Sequence, residues 1–330
     1  MKASGSAPTS PSPTSPAGAP RSRRRGRRFV LRIVQLALVA ATLYFLAAYL
    51  LRSWSTITAY AWSFDPKWLV LSAAAFLVFY LSQTVSWWYL LRGCGAPSPF
   101  WPAAATWAKS ILARYVPGNV FMFVGRAWMS HAQGLPVERV SAAMVYEQAI
   151  GLCSALITVA VLFPFWEYRP GTTALSLIAI PVFVALMHPR LFGPLASRLL
   201  RLLHRPPLDV TVAFRSVVGL LAFFVLAWLV AGAGAWSLAR AVTGIGVDAL
   251  PLVVVAYAFA YVVGMAAFIF PSGIGVREAV LTASLSGHLP AGVVLAWAVL
   301  LRLWVTAMEL AFVGLAVGVE LLLRRRGREP

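Results

Sequence analysis

The chain has 330 residues, of which 60% are hydrophobic and only 12% charged, and its mean hydropathy is +0.79. That composition lies outside the range of water-soluble globular domains and excludes a soluble enzyme. The formal net charge of +18 comes from 28 Lys+Arg against 10 Asp+Glu. Much of it gathers beside apolar runs at the two ends, which points to membrane orientation and anionic headgroups and away from nucleic acid, for which no recognition module follows.

Residues 1–28 open with a Pro/Ser/Thr/Ala/Gly stretch and end on Arg21, Arg23, Arg24, Arg25, Arg27 and Arg28. Few large apolar side chains are present to offset the entropy of ordering, so this stretch is expected to be a disordered cytosolic tail. The apolar run Phe29–Leu51 is too long for a signal-peptide core and lacks a small-residue cleavage site, so it is expected to stay as a first membrane helix.

Further apolar runs lie at 68–91, 140–164, 172–187, 216–239, 249–270 and 291–323, the last carrying Arg302 and Glu309. Each is long enough, or nearly so, to span a bilayer as a helix. Basic residues crowd the 92–139 and 188–215 connections, while 52–67, 165–171 and 240–248 are poor in them. The positive-inside rule then sets the first group in the cytosol, with the N-terminus, in the inner (plasma) membrane. Seven crossings would strand the C-terminal arginines of 324–330 outside. An even number is therefore expected, about eight.

Two segments are candidates for the missing crossing. Residues 103–135 are interrupted at Val116-Pro117-Gly118-Asn119, and 271–290 begin Pro271-Ser272-Gly273-Ile274-Gly275. Proline and glycine stop a helix there, so each reads as an interrupted or re-entrant helical segment. In each half two clean spans precede the break and one follows it (140–164 and 291–323), the pattern of a weak internal duplication. The fold expected is an all-α polytopic membrane protein with a single domain over 29–323.

Charged residues cluster around the breaks. Asn119 can cap the helix that restarts after the first, with Arg114 before it and Arg126 on the same face two turns on. The alternative is a kinked helix whose arginines snorkel to the interface. After the second break, Gly273 and Gly275 free the backbone to turn, and Arg277 and Glu278 fall in the first turn of the next helix. Glu278 suits a helix N-terminus; Arg277 does not, and calls for a bound anion or an acidic partner such as Glu147 or Glu309.

Glu147 and Glu309 lie deep within spans, where an unpaired charge is costly. Arg302 and Glu309 share a face but stand roughly 10 Å apart along the axis, so each needs a partner from another helix. Most of the tryptophans, Trp54, Trp68, Trp87, Trp88 and Trp166 among them, fall at span ends and read as interfacial anchors with no stacking role. Cys94 and Cys153 read as free thiols in apolar surroundings. The four histidines have no ligand spacing, so neither a metal nor a cofactor is expected, and no nucleophile motif suggests an enzyme.

The series Arg114-Tyr115-Val116-Pro117-Gly118, Gly125-Arg126, Gly134, Glu147 and Pro271-Ser272-Gly273-Ile274-Gly275-Val276-Arg277-Glu278 resembles the flippase-like transmembrane region of lysylphosphatidylglycerol synthases, over about 30–323. The resemblance implies movement of a lipid between leaflets. The cytosolic synthase domain of the bifunctional members has no counterpart in this sequence, so lipid synthesis is not implied. Two departures are Gln148, where the family commonly has a basic residue, and Ser272, where it often has glycine.

The function expected is translocation of a phosphate-bearing lipid, either a phospholipid or a polyprenyl-phosphate carrier. Arg114, Asn119, Arg126, Glu147, Gly273, Gly275, Arg277, Glu278, Arg302 and Glu309 would form its binding site. The alternatives are a membrane-embedded transferase acting on lipid-linked substrates and a non-transporting lipid-binding subunit. Nothing in the sequence sets an oligomeric state.

Overall fold

The computed structural model describes residues 54–115, 120–166, 170–202, 210–267 and 273–325, together with Tyr44, Ala48, Leu51 and Arg52. The expected disordered tail, most of the first membrane helix, the first chain break, Val116–Asn119, and the Pro271-Ser272 step of the second lie outside the described residues.

Among the described residues the chain is helical, with no strand. In order the helices are α1 (Trp54–Ala59), α2 (Pro66–Gly93), α3 (Phe100–Ile111), α4 (Val120–His131), α5 (Val137–Trp166), α6 (Pro170–Leu186), α7 (Pro189–Leu202), α8 (Phe214–Thr243), α9 (Leu250–Ala266), α10 (Val276–Leu285) and α11 (Ala291–Arg325). Helix boundaries follow local chemistry. The Asp65 side chain accepts a hydrogen bond from the Lys67 amide, with Pro66 at the first helical position. Gly244 ends α8 in the left-handed conformation at φ 69°, and its N–H closes onto the Arg240 carbonyl.

Five helices are long and apolar enough to cross a membrane: Pro66–Gly93, Val137–Pro164, Phe214–Thr243, Val247–Ala266 and Ala291–Leu323. These coincide with five of the runs read from the sequence. The run at 172–187 differs, since it passes the same test only together with the helix beyond it, across a 68° bend between Leu186 and Pro189. His188-Pro189 opens a new helix there, because the residue before a proline is driven out of the helical region.

Two buried clusters mark the two ends of the bundle. One gathers the end of α2 (Leu90, Leu91, Cys94), α3, the start of α5, Phe192 of α7, the start of α8 (Val217, Leu220) and the end of α11 (Phe312, Ala316). Arg92, Arg139, Arg190 and Arg215 sit beside these elements, so this is the basic end. The other joins the end of α8, the start of α9 (Leu252, Val253), the end of α10 (Leu281, Leu285) and the start of α11 (Val294, Trp297), with Trp68 of α2 and Trp166 of α5 at its margin.

Both broken segments therefore return to the end from which they start. The connection into α3 lies beside the end of α2, where Trp88 donates to the Ser98 carbonyl at 3.0 Å. Beyond α4, Gln133 reaches back to Thr106 and Arg139 to the Cys94 carbonyl. For α9, Tyr261 lies against Trp228, midway along α8, at 4.5 Å between rings. The helix α10 then runs back to the cluster where α9 began. Two helical hairpins thus enter the bundle from opposite ends.

The run 249–270, read from the sequence as a clean span ahead of the second break, is thus the entering limb of the second hairpin. Each hairpin begins and ends at the same end of the bundle, although α9 is itself long enough to cross, and α11 returns the chain to the basic end. The order long helix, broken hairpin, long helix occurs as α2, α3–α4, α5 and again as α8, α9–α10, α11. The two copies run in opposite senses: Ser63 and Asp65, before α2, donate to the carbonyls of Val242 and Ala241 at the end of α8. The internal duplication is thus an inverted one.

Close approach between the copies needs small residues. Ser72 donates to the Gly234 carbonyl at 2.8 Å across the α2–α8 contact. Cys94 and Cys153 are free and buried; burial pushes the Cys94 thiol up to about 11 against the opposing pull of Arg139, so it stays protonated at neutral pH. A Cβ at Gly232 would fall 2.7 Å from the Val254 Cα on α9. Gly232→Ala is expected to cost about 1–3 kcal/mol through this overpacking, seen as a lower unfolding temperature in detergent. Gly318→Ala, where nothing lies within 4 Å, should leave that temperature unchanged or raise it.

Candidate functional site

The first hairpin carries a closed charge cluster. Arg126 on α4 and Glu147 on α5 form an ion pair and are 2% and 6% exposed. The other carboxylate oxygen of Glu147 accepts from the Trp107 indole N–H at 2.7 Å, and Arg126 Nε donates to Ser110 Oγ at 2.9 Å. The guanidinium also lies over the Trp87 ring at 4.7 Å and the Trp107 ring at 5.8 Å. Two aromatic faces and a hydroxyl thus supplement the ionic contact. Water has little access to this pair.

The second hairpin carries the same device with the charges exchanged. Glu278 is on α10, and its partner Arg302 on α11 is 2.8 Å away. The second oxygen of Glu278 accepts from the Gly275 amide at 2.6 Å, closing the first turn of α10. In each copy the ion pair ties the returning half-helix to the long helix that follows, 21 residues apart in the first and 24 in the second. The arginine is on the hairpin in the first and on the long helix in the second.

Arg277 is held by glycines. Its side chain passes over Gly264, where a Cβ would lie 2.7 Å from Arg277 Nε and 2.8 Å from its Cγ, and Gly273 lies nearly as close. Gly273 and Gly275 have φ of 67° and 79°, conformations disfavoured for any residue with a Cβ. The guanidinium lies 5.2 Å from the centre of the Tyr261 ring. A hollow of about 70 Å³ lies between α9, α10 and α11, lined by Tyr257, Arg277, Glu278, Arg302, Thr306 and Glu309 among others. The Arg302 side chain is 24% exposed against 2% for Arg126, so this cluster is the more open of the two.

A short chain of side chains connects them. Tyr80, at the middle of α2, lies 3.3 Å from the Val305 carbonyl and 3.4 Å from a Glu309 carboxylate oxygen. Its ring stands 6.5 Å from that of Trp107, which holds Glu147. Arg302 and Glu309 each have a partner on another helix, as their separation along α11 requires.

Of the residues singled out from the sequence, the structure gathers Arg277, Glu278, Arg302 and Glu309 around one hollow, with Gly273 and Gly275 just ahead of them at the start of α10. Arg126 and Glu147 meet in a separate cluster outside that lining. Asn119 lies outside the described residues; Arg114 belongs to a short 3-10 turn, Leu112–Tyr115, and its side chain is not described. The alternative of a kinked helix with a snorkelling Arg126 does not hold, since Arg126 is buried and paired.

Sequence reasoning missed Trp87, Trp107 and Tyr80, and for the tryptophans its expectation is corrected. Trp87 is fully buried against Arg126, Trp88 carries Arg92 at 4.2 Å, and Trp68 carries Arg240 at 5.0 Å. Stacking on arginine competes with interfacial anchoring wherever a cation falls within reach of the ring. Glu320, 3% exposed and 2.6 Å from Lys109, was also missed; its signal is that of any acid in an apolar helix.

Residues 32–313 match the family described as the lysylphosphatidylglycerol synthase TM region. No curated protein matches the chain. Covering most of the sequence, that match places the protein in the lysylphosphatidylglycerol synthase TM-region family.

Breaking the closed pair leaves one buried charge without its partner, at a cost of about 3–5 kcal/mol. Glu147→Gln and Arg126→Met should each lower the unfolding temperature in detergent markedly. The double variant should lose much less than the sum of the two. Additive losses would mean that the pair does not interact.

Proposed function

We propose that the protein moves a phosphate-bearing lipid, a phospholipid or a polyprenyl-phosphate carrier, between the leaflets of the plasma membrane, with its basic end in the cytosol. Membership of the family supports an integral membrane protein, and the charged hollow of the second hairpin supports the direction of the inference. The single observation that carries it is the placement of Arg277, Glu278, Arg302 and Glu309 around one hollow at the depth where a half-helix begins.

The barrier to flipping is removal of the headgroup from water. A charge at the centre of a bilayer costs about 3 kcal/mol even on scales derived from insertion. Arg277 and Arg302 supply what a phosphate loses, a pair of guanidinium groups with planar arrays of donors. Glu278 balances Arg302 while the hollow holds no lipid. A phosphate entering there competes for Arg302, and Glu278 then keeps its hydrogen bond from Gly275 and can receive a cationic headgroup.

The hollow, at about 70 Å³, has room for a few waters and is too small for a headgroup. Binding therefore requires the start of α10 to draw away from α11, and the Gly264–Gly273 contact with Arg277 is where the hairpin can give. The inverted repeat supplies a second, oppositely facing hairpin, an architecture suited to opening one side while the other is closed. No catalytic role is assigned to any residue in this reading.

The test is a leaflet-resolved assay in proteoliposomes with fluorescent phospholipids. Arg277→Gln and Arg302→Gln should each slow lipid movement by about tenfold or more, while both variants elute as folded protein in size exclusion. Wild-type rates in folded Arg277→Gln and Arg302→Gln would overturn the proposal.

A further inference from the structure

A second candidate for lipid lies away from both hairpins, on the outer face of the α2–α8 pair at the basic end. A groove of about 520 Å³ opens there, lined by Val85, Tyr89, Arg215, Ser216, Gly219 and Phe223 among others. That volume falls within the range of about 300–1,000 Å³ typical of small-molecule sites. Its polar groups stand at one end: Arg215 and Ser216 are in the first turn of α8, and the Tyr89 hydroxyl meets Ser216 Oγ at 3.2 Å. Arg215 is exposed and has no acidic partner within salt-bridge distance among the described residues.

From Arg215 the groove runs along α8 to Phe223, about 12 Å deeper at the helical rise, and turns apolar. Gly219 forms its floor, where an added Cβ would meet nothing within 4 Å. Tyr89 and Phe223 are exposed at its rim, on a face that the surrounding acyl chains would cover.

We infer that this groove holds a phospholipid of the cytosolic leaflet, with its phosphate on Arg215, Tyr89 and Ser216 and one acyl chain over Gly219 toward Phe223. The polar-to-apolar order matches that of a lipid entering from the interface, with the cation at headgroup height and the apolar floor beneath it. A soluble phosphate would leave most of the groove unfilled. The site is independent of the charged hollow and does not depend on the transport reading, since none of its lining residues belongs to either hairpin.

The probe is a phosphatidylglycerol bearing a photoreactive group midway along one acyl chain, present in trace in nanodiscs with the full-length protein. After irradiation, labelled peptides are mapped by mass spectrometry. Label is expected on Val85–Tyr89 and Gly219–Phe223, falling about tenfold in Arg215→Gln and also in Gly219→Phe, which fills the floor. A photoreactive diacylglycerol with the same chains and no phosphate should label these peptides far less.

Equal labelling in wild type and both variants, equal labelling by the diacylglycerol, or crosslinks from these peptides to residues 29–51 or to a second copy would each overturn the inference. Lipid movement measured on the same variants separates this site from the proposed translocation path. Loss of label with unchanged movement supports the groove site alone, and Arg277→Gln should keep the label in the groove.

Discussion

The constraint on which the rest of the structure depends is that a charge inside a bilayer must be met by another charge. Two ion pairs at the core of this protein each join a short hairpin helix to the long helix that follows it: Arg126 with Glu147, and Glu278 with Arg302. Each pair does two things at once. It satisfies groups that hydrocarbon would penalise by several kcal/mol, and it fixes a short helix that has too few turns to hold its place by packing alone. Each pair therefore ties a short hairpin helix to the long helix that follows it.

Their exchanged polarity gives the two hairpins different characters. In the first, the arginine lies between aromatic rings and beside a serine, and nothing is left open. In the second, the arginine on α11 is partly accessible and a further arginine and glutamate share the hollow. The Tyr80 bridge, from the Glu309 carboxylate to the edge of the Trp107 cluster, makes the two physically continuous.

Much of the fold was legible in the sequence because long apolar runs report helices directly. Five of them coincide with helices long enough to cross, and the residues flanking both breaks mark where the hairpins restart. A repeat was visible as well, but the run 249–270 was read as a clean span and is the entering limb of the second hairpin. The inverted sense of the repeat was not visible, since hydropathy carries no direction; it rests on contacts such as Ser63 with Val242, nearly 180 positions away. The number of crossings stayed open for the same reason, because a helix that turns back has the composition of one that continues.

The site was legible in part. Glu147, Arg277, Glu278, Arg302 and Glu309 stood out as ionisable residues in apolar runs, but which of them pair is set by long-range packing. Trp87 and Trp107 were hidden because a tryptophan near a span end has a common alternative use, and Tyr80 because a single hydroxyl in an apolar run costs little enough to pass unnoticed.

The most direct measurement is sided accessibility of single cysteines, introduced into a cysteine-free background, to a membrane-impermeant maleimide. Gln133→Cys, after the first hairpin, and Arg325→Cys, at the end of α11, are expected to react from one side, and His288→Cys, after the second hairpin, from the other. Reaction of His288→Cys from the same side as Gln133→Cys would contradict hairpins that enter from opposite ends.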